Sequence, residues 1–481
     1  MSAVVEVRRG AYHDSVTLMA VSRDVAGLEG VEAALVAMAT ELNLAALADL
    51  GFDRDEAKGA GADDLLVALR AADEAALDAA RAAVTAGLSA PGGGGGAAEA
   101  PPPRTVYQAA RATAARGRPA ALALVSVPGP HVFPEAMDAL RAGLSVMVFS
   151  DNVPLEQEVA LKTEASRRGL LVMGPDCGTA IVGGVGLGFA NATSPGPVGI
   201  VAASGTGAQQ VSSLLDDAGV GVRAVLGVGG RDLSEAVGGA STLAALAALD
   251  ADPGSELIIV LSKTPAPEVA DRVADAAKAC ATPVLLAFVG PGRPDLTAVT
   301  DEALARLGHP PLTARWWPAP AERGAHGGRL RGLFAGGTLC QEAAAIAGPA
   351  LRDGDALVDF GDDRFTLGRA HPMIDQRSRL AAIAELGERG GDDVVLLDVV
   401  LGHGAHPDPA AELAPALATA RRRAADAGRD LALVVSLCGS AGDPQGRVRQ
   451  AEALVAAGAS VHLSNAQAAL KAVDLLARDA P

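Results

Sequence analysis

Two histidines three apart, His403 and His406, close the apolar run of DVVLGHGAHPDP at residues 398–409. Helical zinc pairs sit four apart and draw a third ligand from elsewhere. Here Gly404 and Ala405 separate the pair, and Pro407 and Pro409 follow. That pattern suits a loop running into the first turn of a helix. No other Cys/His cluster offers spaced ligands, so no metal is expected. The chemistry open to this loop is anion binding. A helix start offers unpaired N–H groups and a partial positive charge, and glycine lets an anion approach them closely. The same grammar of strand, small-residue loop and helix recurs in GIVAASGTGAQQV and GLFAGGTLCQEAA. The candidate phosphate binders are Ser204, Gly205, Thr206 and Gly207, and Gly402, Gly404 and Ala405. His403 and His406 could add a cation. Each loop alone is equally compatible with a purely structural role, because small residues end strands in many doubly wound folds.

Three further stretches gather polar groups at strand ends, where open α/β sheets bind ligands. MGPDCGTAI presents Asp176, Cys177 and Gly178. VGGRDLS presents Arg231 and Asp232. DFGDDRFTLGRAHPMID packs Asp362, Asp363, Arg364, Arg369 and His371 together. Arg369 has the fork geometry for a carboxylate. The competing reading is a solvated loop with capping carboxylates.

Those loops need sheets to hold them. At 481 residues the chain has room for three or four domains. Aromatics are only 2% of the chain, so its cores must be built from Ala, Val and Leu against Gly-rich backbone. Residues 1–88 read as a small α/β domain. Residues 89–104, SAPGGGGGAAEAPPPR, read as a linker. Residues 105–192 alternate helix with near-continuously apolar strands, as a Rossmann-like parallel sheet should. The pattern restarts at 193–312, is broken by an irregular stretch at 313–330, and restarts again at 331–481. The expected fold is α/β: three doubly wound Rossmann/flavodoxin-like domains behind a small α/β N-terminal domain.

Charge and cysteine usage narrow the function classes. A net charge of −17 argues against nucleic acid or an anionic membrane as partner. The first residues hold no long apolar stretch, and no run reaches membrane-spanning length. Cys177, Cys280, Cys340 and Cys438 are far apart and form no CxxC, which fits free thiols in a reducing cytoplasm.

GPDCG, GPVGIVAASGTGAQQV, GVGGRDLSEAVGG and ELIIVLSK run in the order found in the α subunit of succinyl-CoA synthetase. Residues 331–475 resemble the C-terminal ligase domain of that enzyme's β subunit. The closer resemblance, over nearly the whole chain, is to the FdrA family of acyl-CoA-synthetase-like proteins. DSVTLMAVSR, FSDNVPLEQEVALKT, GRAHPMID and GAHPDPA add to it. The resemblance implies two helix N-termini facing each other across a phosphate, with Ser204–Gly207 as one and Gly402–His406 as the other. It implies no phosphohistidine: PGRPDL follows PVLLAFVG where the synthetase carries one, and His309 lies too far along. Lys263 stands where the synthetase has the glutamate that pairs with that histidine. Neither an ATP-grasp segment nor the first Gly-rich βα turn of a CoA-binding domain is evident.

The resemblance thus implies direct transfer from carbamoyl phosphate or an acyl phosphate, with no cofactor required. It points to an oxamate-carbamoyltransferase-like role in ureide catabolism with companion FdrA-system proteins. Lys263, His403 and His406 are its expected catalytic groups, and Asp176, Cys177, Gly178, Arg231, Asp232, Arg369 and His371 its expected substrate binders. Two alternatives stay open. One is an acyl-CoA synthetase core that binds CoA and borrows an ATP-grasp partner. The other is a non-catalytic scaffold subunit. A small anionic substrate and a homo- or hetero-oligomer are expected in any of the catalytic cases.

Overall fold

Alternating and apolar runs with helix caps between them set out four sheets in chain order. The first comprises β1 (Ser2–Arg8), α1 (Ser15–Ala26), β2 (Val31–Met38), α2 (Glu41–Asp49), β3 (Leu65–Ala71) and α3 (Glu74–Ser89). Its sheet is antiparallel in order β1-β3-β2, with Ser2 opposite Ala71 and Arg8 opposite Leu65. Asp14 and Thr40 cap α1 and α2 by accepting the Thr17 and Asn43 N–H groups. The structure is a computed structural model describing residues 2–89, 103–320, 328–366, 369–388 and 392–477. The expected linker at 89–104 falls, apart from its ends, outside the described residues. So does the middle of the stretch at 313–330.

The second sheet is small. It comprises α4 (Val106–Ala115), β4 (Leu122–Val125), α5 (Gly129–Arg141), β5 (Ser145–Val148), α6 (Leu155–Arg168) and β6 (Val172–Met173), parallel in order β4-β5-β6. The third comprises β7 (Thr179–Val182), β8 (Val185–Gly188), β9 (Pro195–Ala202), α7 (Gly205–Asp217), β10 (Val222–Gly227), α8 (Ala240–Asp250), β11 (Leu257–Lys263), α9 (Pro267–Ala279), β12 (Val284–Val289) and α10 (Leu296–Arg306). Residues 179–188 fall within the unit expected at 105–192 and form the hairpin β7–β8. It pairs antiparallel with β10 and so extends the third sheet.

The fourth comprises β13 (Trp316–Trp317), β14 (Arg329–Phe334), α11 (Gly337–Ala347), β15 (Ala356–Asp359), α12 (Asp363–Thr366), α13 (Arg377–Glu388), β16 (Asp393–Val400), α14 (Pro409–Asp426), β17 (Leu431–Cys438), α15 (Arg447–Ala456), β18 (Ala459–His462) and α16 (Asn465–Ala477). Trp316 and Trp317, inside the irregular stretch, add an antiparallel edge strand against β18.

In both larger sheets the parallel strands follow the flavodoxin order. The third sheet runs β12-β11-β9-β10 and the fourth runs β15-β14-β16-β17-β18. In that order the chain reverses direction at the first strand, and ligands bind outside the strand ends there. The switch-point strands are β9 and β14, and α7 and α11 are the helices that leave them. One buried cluster runs through both sheets, from Ile200 and Leu261 to Phe334 and Val434.

A buried charge network ties the second sheet to the third. Lys162 Nζ donates to Glu158 Oε1 at 2.8 Å, to Asp232 Oδ1 at 2.7 Å and to the Val228 carbonyl at 3.0 Å. Asp232 also accepts the Ser241 and Thr242 N–H groups and the Thr242 hydroxyl, which anchors the start of α8. Arg231 pairs with Glu158 Oε2 at 2.9 Å and donates to the Val153 carbonyl. Removing one partner strands the others without compensation in a dry interior. Lys162→Ala is therefore expected to lower stability by about 3–5 kcal/mol, read by chemical denaturation.

Candidate functional site at the junction of two helix starts

The two switch points face each other. Ser204 ends the strand before α7, and its Oγ accepts the Gly207 N–H at 3.1 Å. The same Oγ lies 2.6 Å from Thr338 Oγ1 at the start of α11. Gly336 precedes α11 and brings no side-chain cap, so the first N–H groups of that helix are left to whatever lies in front of them. Asp398, at the end of β16, fixes the turn: its two carboxylate oxygens accept the Ala335 and Gly336 N–H groups at 2.7 Å each. Arg379, also buried, donates to Asp398 Oδ1 at 2.9 Å and neutralises it. The approach is close enough to demand glycine. A Cβ on Gly207 would meet Ser204 Oγ at 2.5 Å, and one on Gly336 would meet Thr206 Cγ2 at 2.8 Å.

A cavity of about 1450 Å³ opens at this junction. Gly205, Thr206, Gly337 and Thr338 line it from the two helix starts, and Lys263 and Asp359 from neighbouring strand ends. Lys263 makes no hydrogen bond or ion pair among the described residues. Desolvation raises the Asp359 carboxyl to about 6, with Asp398 adding to the rise and the Gly361 N–H and Lys263 opposing it. His371, Arg369, Asp176, Cys177 and Gly178 also reach the cavity wall. Its far side is formed by the N-terminal sheet, including His13, Ser15 and Met19.

The histidine loop goes elsewhere. Residues 402–406 are not among those lining the cavity. They pack on the segment after β8: the His403 N–H donates to the Ala190 carbonyl at 2.8 Å, and a Cβ on Gly404 would meet the Gly188 carbonyl at 2.9 Å. Gly402 exchanges hydrogen bonds with the Gln445 amide. His406 is buried, accepts the Asp408 N–H at Nδ1 and faces Glu412 Oε1 at 3.0 Å through Nε2. The start of α14 is already served, since the Ala410 N–H donates to Gln450 Oε1. The second helix start at the cavity is thus Gly336–Thr338, not Gly402–His406.

Other expected residues are also absorbed by structure. Asp232 is held in the buried network described above, and Arg231 is an exposed side chain that pairs with its Glu158. The Ser204 hydroxyl joins the two helices instead of facing the cavity freely. The thiol of Cys177 is pushed up to about 12 by burial and is inert. His371 is pulled down to about 4 by burial and by Arg379. Its Nδ1 accepts the Met373 N–H at 3.2 Å, so the neutral ring carries its proton on Nε2 and can donate to an anion but not attack one. His309 is exposed.

These features define a CoA-ligase type of α/β protein, and the comparisons agree. A family model described as CoA-ligase matches residues 333–475, and one described as AllF, heavy metal-associated domain, matches residues 1–102. The uncharacterized protein YahF of Escherichia coli K12 is 34% identical over 99% of both chains. The chain belongs to the FdrA-like family of acyl-CoA-synthetase-like proteins, within the succinyl-CoA synthetase superfamily. The succinate–CoA ligase α subunit of Methanothermobacter thermautotrophicus is 27% identical over 29% of this chain and 47% of its own length. The malate–CoA ligase α subunit of Methylorubrum extorquens is 26% identical over 35% and 57%. The chain therefore spans about half of each ligase subunit. A dinucleotide-forming acetyl-coenzyme A synthetase of Ca. Korarchaeum cryptofilum aligns at TM-score 0.29 and 15% identity over 74% of this chain and 82% of that one. The relatives of named activity are CoA ligases.

Residues 1–102 contain no cysteine. No group of three His, Cys, Asp or Glu able to hold a metal occurs among the described residues. No helix among them is long and apolar enough to cross a membrane.

If the cavity holds phosphate, Lys263→Ala is expected to weaken its binding by about 1.5–3 kcal/mol, the worth of a charged hydrogen bond. His403→Ala and His406→Ala are expected to leave that affinity unchanged. Titration calorimetry with inorganic phosphate reads all three.

Proposed function

We propose that this chain is the ligase core of an acyl-CoA synthetase, exchanging an acyl group between phosphate and CoA in the cavity between α7 and α11. The observation that carries this reading is the junction itself: two glycine-rich helix starts and the unpaired Lys263 converge on one space. In the forward direction the CoA thiol attacks the carbonyl carbon of an acyl phosphate. The thioester C–S bond forms, the carbonyl C–O bond to phosphate breaks, and the thiol proton ends on the departing phosphate. Charge grows on that phosphate as it leaves. The Gly337 and Thr338 N–H groups, the helix dipoles and Lys263 stabilise it without reorganising, which is where such donors contribute most. The Nε2–H of His371 supports the same charge from the cavity wall.

A separate nucleotide-binding component supplies the phosphoryl group in this scheme, and CoA and a small carboxylic acid are the other substrates. The test uses the full chain with acetyl-CoA or succinyl-CoA and labelled inorganic phosphate. The expected result is phosphate-dependent release of CoA with acyl phosphate trapped as hydroxamate, reduced at least about tenfold in Lys263→Ala, as loss of a charged contact predicts. Turnover of carbamoyl phosphate with oxamate, without any thioester exchange, would return the chain to the transferases and overturn this reading.

A further inference from the structure

Asp359 plays no part in the exchange just described, yet it sits where a phosphoryl group would be carried. It ends β15 and reaches over the start of α11. Its Oδ1 accepts the Gly361 N–H at 2.9 Å, while its Oδ2 makes no hydrogen bond among the described residues. That free oxygen points at Gly337: a Cβ built there would lie 2.5 Å from Oδ2 and 3.9 Å from Lys263 Nζ. The carboxylate and the ammonium therefore flank the same small space from two sides without pairing. Any residue but glycine at 337 would fill that space. Thr206 and Thr338 line the cavity beside it.

From this geometry we infer that Asp359 is a phosphoryl carrier: its Oδ2 attacks the phosphorus of an acyl phosphate, giving an aspartyl phosphate and the free carboxylate. One P–O bond forms as the P–O bond to the acyl oxygen breaks, and no proton or electron is left over. Both partners are mixed anhydrides of a carboxylic and a phosphoric acid, so the transfer is close to balanced in free energy and runs either way. Run in reverse, aspartyl phosphate plus a carboxylic acid gives the acyl phosphate that the CoA thiol consumes. Asp359 thus takes the carrier role that succinyl-CoA synthetase gives to a phosphohistidine. Aspartate is a competent covalent nucleophile where desolvation and nearby donors support it. Partial burial of this carboxyl, with Lys263 opposite, meets that condition while most of it stays ionised above neutral pH. Lys263 and the helix start neutralise the equatorial oxygens of the transferred group.

The inference rests on the proposed phosphate site but is read separately from thioester exchange. The full chain is incubated with 32P-labelled acetyl phosphate, and the product is divided between hydroxylamine release and borohydride reduction followed by peptide mass spectrometry. The expected result is a hydroxylamine-sensitive label mapped to Asp359 in the wild-type chain, with the label lost in Asp359→Asn. The wild-type mapping decides the matter even if that variant folds poorly. Thioester exchange that proceeds with Asp359 unlabelled overturns the carrier role and leaves the ligase reading intact. An acid-labile label on a histidine overturns it as well. Labelled Asp359 with no exchange to CoA sinks the ligase reading and keeps the carrier.

Discussion

A 2.6 Å contact between two buried hydroxyls, Ser204 Oγ and Thr338 Oγ1, sets the geometry on which the rest depends. It joins residues 134 apart and locks the starts of α7 and α11 together across two different sheets. Helix starts carry like partial charges, so bringing two of them together is unfavourable unless something negative lies between. Within the cavity the nearest such group is Asp359, and its carboxyl is held up by desolvation. A bound phosphate would satisfy the same demand. The junction is therefore electropositive inside a chain whose net charge is −17. Local dipoles and one lysine outweigh a remote acidic surface, which bulk water screens.

The supporting charges are arranged so as not to compete with that site. Asp398 lies directly behind the α11 turn, and as a lone anion it would repel a phosphate. Arg379 pairs with it, so its role reduces to fixing two N–H groups. Lys162 and Asp232 use up each other's charge at the seam between the second and third sheets. At the junction Lys263 and Asp359 Oδ2 have no hydrogen-bond or ion-pair partner among the described residues, and the proposed chemistry follows from those two groups. An ammonium with free donors and a carboxylate it does not pair with border the space beside Gly337, which is where the proposed phosphoryl group would sit.

Most of the architecture could be read from sequence, because buried parallel strands are long apolar runs and helix caps are local. Val394–Val400 and Leu431–Cys438 are legible as strands for that reason. The hairpin Thr179–Gly188 pairs with β10, some forty residues further on, and such distant pairing partners leave no local mark in the sequence. At the site, the loop of Ser204–Gly207 was found from its glycines and its cap. GLFAGGTLCQEAA carried the same signal, yet the likeness to the synthetase drew the second cradle to Gly402–His406 instead. Only the packing shows that Gln445, the Ala190 and Met373 carbonyls and Glu412 occupy the donors of that loop. Asp359 opens the stretch DFGDDRF, yet its sequence neighbours do not single it out. Its neighbours Asp362 and Asp363 look equally acidic in one dimension, and nothing local reveals which carboxylate faces Gly337.

The most direct measurement of the central claim is a crystal structure of the full chain soaked with inorganic phosphate. The account predicts one tetrahedral anion between Gly337 and Thr206, within hydrogen-bonding reach of Lys263 Nζ, with residues 402–406 still packed on residues 188–191. An anion bound instead at Gly402–His406, or helix starts that part so that Ser204 and Thr338 no longer touch, contradicts it.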